Sequence, residues 1–293
     1  MKISQGQIVV WFLSLTGRLP LSLCRLLGRI IGLALWLIPN RSRSTTKTNI
    51  AFCFPELSKG EQQKLVFKSL QHTGMLVFEM AAIWHQPYSW LEKKIVAIEN
   101  VELFEQEQKK GVIILLPHVG NWEVFSRYIP AVSDGMGLYE PPRLPELEIL
   151  IKKSREKTGG KLVPTNARGV ASLLKHLRKG GTTCILPDQV PNHKDRSGVF
   201  APFFGKPTYT MTLVNQLHQR TGSIIIGAAA KRVAGGFSII FYPVGDAIYS
   251  EDNIASASAM NNLVERYARE IPEQYQWEYK RFRRVPPGES KVY

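Results

Sequence analysis

The sequence predicts an α/β fold, a central sheet flanked by helices, with an N-terminal amphipathic helix in front of it. Three observations carry this: short apolar β-branched runs bounded by Gly and Pro, helical periodicities between them, and an apolar stretch with spaced arginines over the first forty residues. The 293 residues are 44% hydrophobic and 21% charged, which excludes a disordered or fibrous chain and suffices for one large core with a small appendage.

Residues Ile8 to Pro39 are strongly apolar but carry Arg18, Arg25, Arg29 and an internal Pro20, so no uncharged run reaches the roughly twenty residues of a spanning helix. On one helix the three arginines fall within about 40° of each other, opposite a broad apolar face. That pattern, with Trp11, Phe12 and Trp36 beside it, suits a helix lying in or crossing a membrane interface. Arg41, Arg43 and Lys47 follow and place this flank on the cytoplasmic side. A cleaved signal peptide is disfavoured by the arginines and the lack of an A-x-A site. The expected division is a membrane-anchoring segment over 1–45 and a second domain over 46–293.

Ser58-Lys59-Gly60-Glu61 has the form of a capping box, and the apolar spacing after it predicts a helix over 59–84. GVIILL at 111–116 and TTCIL at 182–186 read as buried strands, with a helix over 169–179 stopped by Gly180-Gly181. Further strands are expected over 223–230 and 237–242, and helices over 208–220 and 258–270.

The 38 Lys and Arg against 24 Asp and Glu leave a net charge of +14, which requires an anionic partner. The excess is concentrated. Residues 1–50 hold seven basic and no acidic groups, 143–179 ten against three, and 277–293 five against two. Cys24, Cys53 and Cys184 have no CxxC or CxxH spacing, so neither disulfides nor a zinc site is expected, and a reducing compartment is the default.

The most informative segment is Pro117 to Glu123, PHVGNWE, directly after the first buried strand. The carboxyl ends of strands in α/β sheets collect catalytic groups. On a straight helix His118 and Glu123 would lie about 140° apart, so they meet only if the chain turns at Gly120-Asn121. Asn121 is a good N-cap for a helix starting at Trp122. A histidine held by a carboxylate makes a general base for a hydroxyl. With six histidines and acids at about 8% of positions, chance supplies roughly half an H-x4-[D/E] match per chain, and only His118 matches here. Backbone N–H groups at Gly120 and Asn121 are candidates for an oxyanion hole. No G-x-S-x-G is present, and Cys184 lies within a strand.

HVGNWE resembles the signature of the H-x4-D/E acyltransferases, and specifically of the late (secondary) acyltransferases of lipid A biosynthesis, the lauroyl/myristoyl acyltransferase-like family. LYEPPRLPELEILIKKSREKTGG (138–160), RGVASLLKHLRKGG leading into LPDQVPN (168–192), VFAPFFGKPTYTMTL (199–213) and WEYKRFRRVPPGE (277–289) extend the resemblance over nearly the whole chain. The resemblance implies a glycerolipid-acyltransferase-like fold and an inner-membrane enzyme whose active site faces the cytoplasm. It implies transfer of a fatty acyl chain from acyl carrier protein to a hydroxyacyl hydroxyl of a phosphorylated lipid A precursor. His118 is then the general base and Glu123 its orienting partner. Arg155 and Asp188 match substrate-binding positions: Arg155 to hold a phosphate or polarise the thioester carbonyl, Asp188 to hold Arg155 or cap a loop.

No cofactor or metal is implied; the partners are acyl carrier protein, the lipid precursor and anionic membrane lipid, with no nucleic acid. Lys280, Arg281, Arg283 and Arg284 are expected to form a binding patch. Two other readings stand beside this one: a basic membrane-tethered binding module, and a thioester or lipid hydrolase using the same His–Glu pair.

Overall fold

A computed structural model describes residues 4–191 and 197–293; Asn192, which ends the LPDQVPN segment, lies outside the described residues, as does His193. Helices α1 (Gln5–Thr16), α2 (Leu21–Leu37), α3 (Arg41–Cys53), α4 (Lys59–His85) and the short α5 (Tyr88–Lys94) precede the sheet, and the short α6 (Glu102–Glu105) follows its first strand. The sheet then gathers β1 (Ile95–Glu99), β2 (Val112–Leu115), β5 (Thr182–Ile185), β8 (Ile224–Val233) and β9 (Gly236–Tyr242) in the order β1-β9-β8-β2-β5. Strand β2 runs parallel to both β8 and β5, while β8 and β9 form an antiparallel hairpin.

The four residues of β2 are fully buried, and successive side chains enter different cores. Ile113 and Leu115 join one cluster with Leu173 and Leu177 of α9 (Ala167–Leu177), Leu217 of α10 (Leu213–Thr221) and Leu263 of α11 (Asn253–Glu270). Val112 and Ile114 join the other with Ile83 of α4 and Phe125 of α7 (Phe125–Val132). Helices therefore cover both faces, as expected from the sequence.

Two small sheets flank the main one: β3 (Met136–Tyr139) pairs in parallel with β4 (Lys161–Pro164), and β6 (Gly198–Phe203) pairs antiparallel with β7 (Lys206–Met211). The β6–β7 hairpin corrects the helix expected over 208–220. Thr208, Tyr209 and Thr210 are β-branched or aromatic and pair with Ala201, Phe200 and Val199, and the helix starts only at Leu213. Phe204 and Gly205, both at positive φ, make the tight turn between the strands.

The capping box at Ser58 forms as the sequence requires, with Ser58 Oγ accepting from the Glu61 N–H and the Glu61 carboxylate accepting from the Ser58 N–H. The expected N-terminal helix is instead two helices, broken between Gly17 and Pro20, so Arg18 lies in the break rather than on a common stripe. Helix α2 packs backbone to backbone on α4: a Cβ on Gly28 would lie 2.3 Å from Met75 Cα, and one on Gly74 would lie 2.1 Å from Gly28 O.

This contact turns Arg25 inward, where Nε meets Glu79 Oε1 at 2.7 Å and the two terminal nitrogens donate to Val233 O and Gly236 O. The apolar face is what remains outside, with Trp11 67% and Leu37 65% exposed. Among the described residues no single helix is long and apolar enough to cross a membrane; α2 and α3 together pass on composition but are bent by 81°.

Candidate active site

The site grows from strand register. Leu115 of β2 is paired with Ile185 of β5, and Leu116 N–H continues the ladder to Ile185 O at 2.9 Å. His118 and Asp188 each stand three residues beyond those partners, so two parallel strands deliver them to the same point. His118 Nδ1 lies 2.8 Å from Asp188 Oδ1, and His118 N–H donates to Asp188 Oδ2 at 3.0 Å. An ionised carboxylate only accepts, so Nδ1 carries the proton and Nε2 keeps its lone pair. Gln189 Nε2 sits 3.1 Å from that Nε2 and donates to it. Burial alone would raise the Asp188 pKa; its interaction with His118, the two hydrogen bonds it accepts from that residue and the charge of Arg281 outweigh this and hold it below the ordinary value.

Glu123, the partner expected for His118, is occupied elsewhere. Asn121 Oδ1 accepts from the Glu123 N–H and starts the short 3-10 turn Trp122–Val124, which turns the Glu123 side chain into the protein. Its carboxylate accepts from Arg155 Nε at 2.8 Å and Nη2 at 2.7 Å, from Trp84 Nε1 at 2.9 Å and from Ser126 Oγ at 2.9 Å. Burial opposes its charge; the Arg155 charge and these donors prevail and lower its pKa. Arg155 reaches it from the last turn of α8 (Pro145–Glu156), while Lys152, Lys153 and Lys157 of the same segment stay exposed. The H-x4-E spacing therefore holds two pairs, the hydrogen-bonded His118–Asp188 and the ion pair Glu123–Arg155, rather than one His–Glu pair. Asp188 does not hold Arg155.

The oxyanion role expected of Gly120 and Asn121 is closed by their backbone bonds: Gly120 N–H donates to Gln274 O at 3.0 Å and Asn121 N–H to Ala230 O at 2.8 Å. Gly120, at φ +61°, threads between β8 and the chain after α11, and a Cβ there would lie 2.0 Å from Ala230 O. The expected C-terminal basic patch also divides. Arg281 is buried with Nη1 on Tyr209 O at 2.7 Å, and Arg284 stacks 3.6 Å from the Tyr209 ring centroid.

Trp122 joins both pairs to a cavity. Its ring packs edge-on to the His118 ring at 4.6 Å, and it lines an apolar cavity of about 110 Å³ together with Leu116, Ile129, Leu138, Cys184 and Arg155. Gln189, Trp84, Trp122 and Ser126 went unassigned from the sequence. Only Gln189 and Trp122 carried a signal, by their places next to Asp188 and within the His118 segment.

A lone-pair-bearing imidazole nitrogen next to an apolar slot with a fixed guanidinium is an arrangement for acyl-group chemistry: a base for a hydroxyl and a slot for a hydrocarbon chain. Comparison with known proteins names the class. The family model "Bacterial lipid A biosynthesis acyltransferase" matches residues 3–284, and the chain belongs to that family. It is 27% identical to the lipid A biosynthesis lauroyltransferase of Escherichia coli (strain K12), covering 97% of this chain and 92% of that one. It is 28% identical to the palmitoleoyltransferase (98% and 93%) and 24% identical to the myristoyltransferase (91% and 82%) of the same organism. The protein is thus an acyltransferase of lipid A biosynthesis, and the binding-module reading falls away.

Proposed function

We propose that the protein transfers a fatty acyl chain from the thioester of acyl carrier protein to a hydroxyacyl hydroxyl of a phosphorylated lipid A precursor. The observation that carries the mechanism is the 2.8 Å His118–Asp188 pair, which leaves the Nε2 lone pair on the side away from the carboxylate, where it accepts from the Gln189 amide until the acceptor hydroxyl takes that amide's place. His118 Nε2 takes the hydroxyl proton as the oxygen attacks the thioester carbonyl. The C–O bond forms, the carbonyl π electrons move to oxygen, and collapse of that oxyanion expels the thiolate, which recovers the proton from the imidazolium. Asp188 steadies the imidazolium. Glu123 acts by fixing Arg155, whose guanidinium lines the acyl cavity and offers positive charge to the thioester oxygen.

The exposed apolar faces of α1 and α2 support docking on the inner membrane, as a peripheral or single-pass protein, with the site on the cytoplasmic side. The basic groups over 143–179 suit the acidic carrier protein or the precursor's phosphates. The test is transfer of labelled acyl groups from acyl carrier protein to lipid A precursor by membranes containing the full chain. The expected result is transfer that His118→Ala reduces by about 10²–10⁴-fold with the folded protein retained. Unchanged transfer in that variant refutes the mechanism, and release of free fatty acid with the lipid untouched refutes the acceptor.

A further inference from the structure

A second, polar recess shares Trp122 with the apolar cavity. The recess is completed by His72 and Thr73 of α4, Arg232 of β8, and Gln276 and Glu278 beyond α11. Its volume of about 10 Å³ is the space of about one water-sized group. Four buried polar atoms in its wall have no hydrogen-bond partner among the described residues: His72 Nδ1, Arg232 Nη2, Gln276 Oε1 and Glu278 Oε2. Buried polar atoms are nearly always paired, so four from three separate elements around one recess mark a place for a ligand group.

The recess is attached to the base. Gln276 N–H donates to His118 O at 3.0 Å, and Gly120 contributes to the wall. Its charges are already balanced in part, because Arg232 Nε is held by Glu79 Oε2 at 2.6 Å, while the buried Nη2 has no hydrogen-bond partner among the described residues. Burial pushes the His72 imidazole down to about 3, so it is neutral, and burial pushes the Glu278 carboxyl above its ordinary value despite the nearby Thr73 and Gln276. With Arg232 held by Glu79 and His72 neutral, the wall offers donors and acceptors that suit a hydroxyl or amide.

We propose that this recess positions the acyl acceptor, taking one hydroxyl or amide of the acceptor between Arg232, Gln276 and Glu278 and so setting the reacting hydroxyl on His118. The hydrocarbon of the donor and the polar part of the acceptor then meet at Trp122, which lines both spaces. The inference rests on the acceptor being a hydroxyl-bearing lipid, as proposed above.

The experiment is steady-state kinetics of the full chain in detergent, varying lipid A precursor at saturating acyl donor and then the reverse. Glu278→Leu and Gln276→Leu are expected to raise the acceptor KM about tenfold and leave the donor KM unchanged, with Glu278→Gln within about twofold of wild type. On the wild-type protein, precursor analogues lacking single hydroxyl or amide groups are expected to include one with the same tenfold KM increase, and Glu278→Leu adds nothing further to it. That arm needs no variant other than Glu278→Leu to fold. An acceptor KM unchanged in both leucine variants, donor and acceptor KM rising together, or no analogue effect on the wild type overturns the proposal and leaves the recess to an ordered water. Absence of transfer by the wild type refutes instead the acceptor assignment.

Discussion

His118 and Asp188 are seventy residues apart in the chain and 2.8 Å apart in the fold, because each stands three residues beyond a residue of the in-register pair Leu115 and Ile185. A parallel ladder keeps its two strands in step, so equal overhangs end side by side. The acid that holds the histidine therefore comes from the neighbouring strand, and Glu123, five residues on, is released to hold Arg155.

Asp188→Asn should lower kcat by about 10²–10⁴-fold, close to the effect of His118→Ala, since an amide leaves the imidazolium unsupported and permits the wrong tautomer. Single-turnover transfer rates of the two variants check this. Full activity in Asp188→Asn would leave the orienting role without support.

The Glu123–Arg155 pair should make folding acid-sensitive. The Glu123 pKa is lowered in the fold from 4.5, so its contribution is fully present above about pH 4.5 and is lost as pH falls through the lower folded value. Glu123→Gln should flatten that part of the stability-versus-pH curve. Glu123→Ala should cost about 3 kcal/mol at neutral pH, near the lower end for a broken buried pair because the Arg155 side chain keeps 24% exposure. Denaturant titrations at pH 3 to 7 measure both.

Glu79 is fully buried and accepts from Arg25, Arg232 and Asn121, tying α2 and β8 to the turn after His118. Glu79→Ala leaves two arginines without their carboxylate and should cost about 3–5 kcal/mol. A shift in the urea midpoint of less than a few tenths molar would contradict this.

Gly120→Ala should destabilise the chain by more than about 1 kcal/mol and reduce transfer as well. Both a Cβ at 2.0 Å from Ala230 O and the positive φ act against alanine, and the displaced turn carries His118. Wild-type thermal stability in this variant would show that the turn can shift freely.

Cys184 lines the apolar cavity from strand β5. Burial pushes its thiol up to about 12, so it is a neutral packing group rather than a nucleophile. Cys184→Phe should fill cavity volume and shift preference toward shorter acyl donors, read as relative kcat/KM across a donor series. Loss of rate equal for every chain length would separate Cys184 from the acyl chain.

The elements that follow local rules were legible in the residues. The capping box at Ser58, the buried runs around Val112–Leu115 and Thr182–Ile185, and the stop at Gly180 all depend on neighbours within a few positions. The hairpin at 198–211 was missed because an alternating Thr-Tyr-Thr segment declares itself as strand only once Phe200 and Ala201 are across from it. The direction of Arg25 was missed for a similar reason: helical phase places a side chain on a face, and the glycine contact with α4 decided which face turns inward.

The layered α/β architecture and the position of His118 at a strand end are legible in the residues alone, because both follow from local patterning. The tertiary structure alone decided the pairing: which acid meets the histidine, which meets the arginine, and that the N–H groups of Gly120 and Asn121 are already bound to Gln274 and Ala230. Spacing along a chain specifies geometry only while local structure is regular. Between His118, Asp188, Glu123 and Arg155 the distances are set by the register of two non-local strands and by a 3-10 turn, and these exist only after the core has closed around β2.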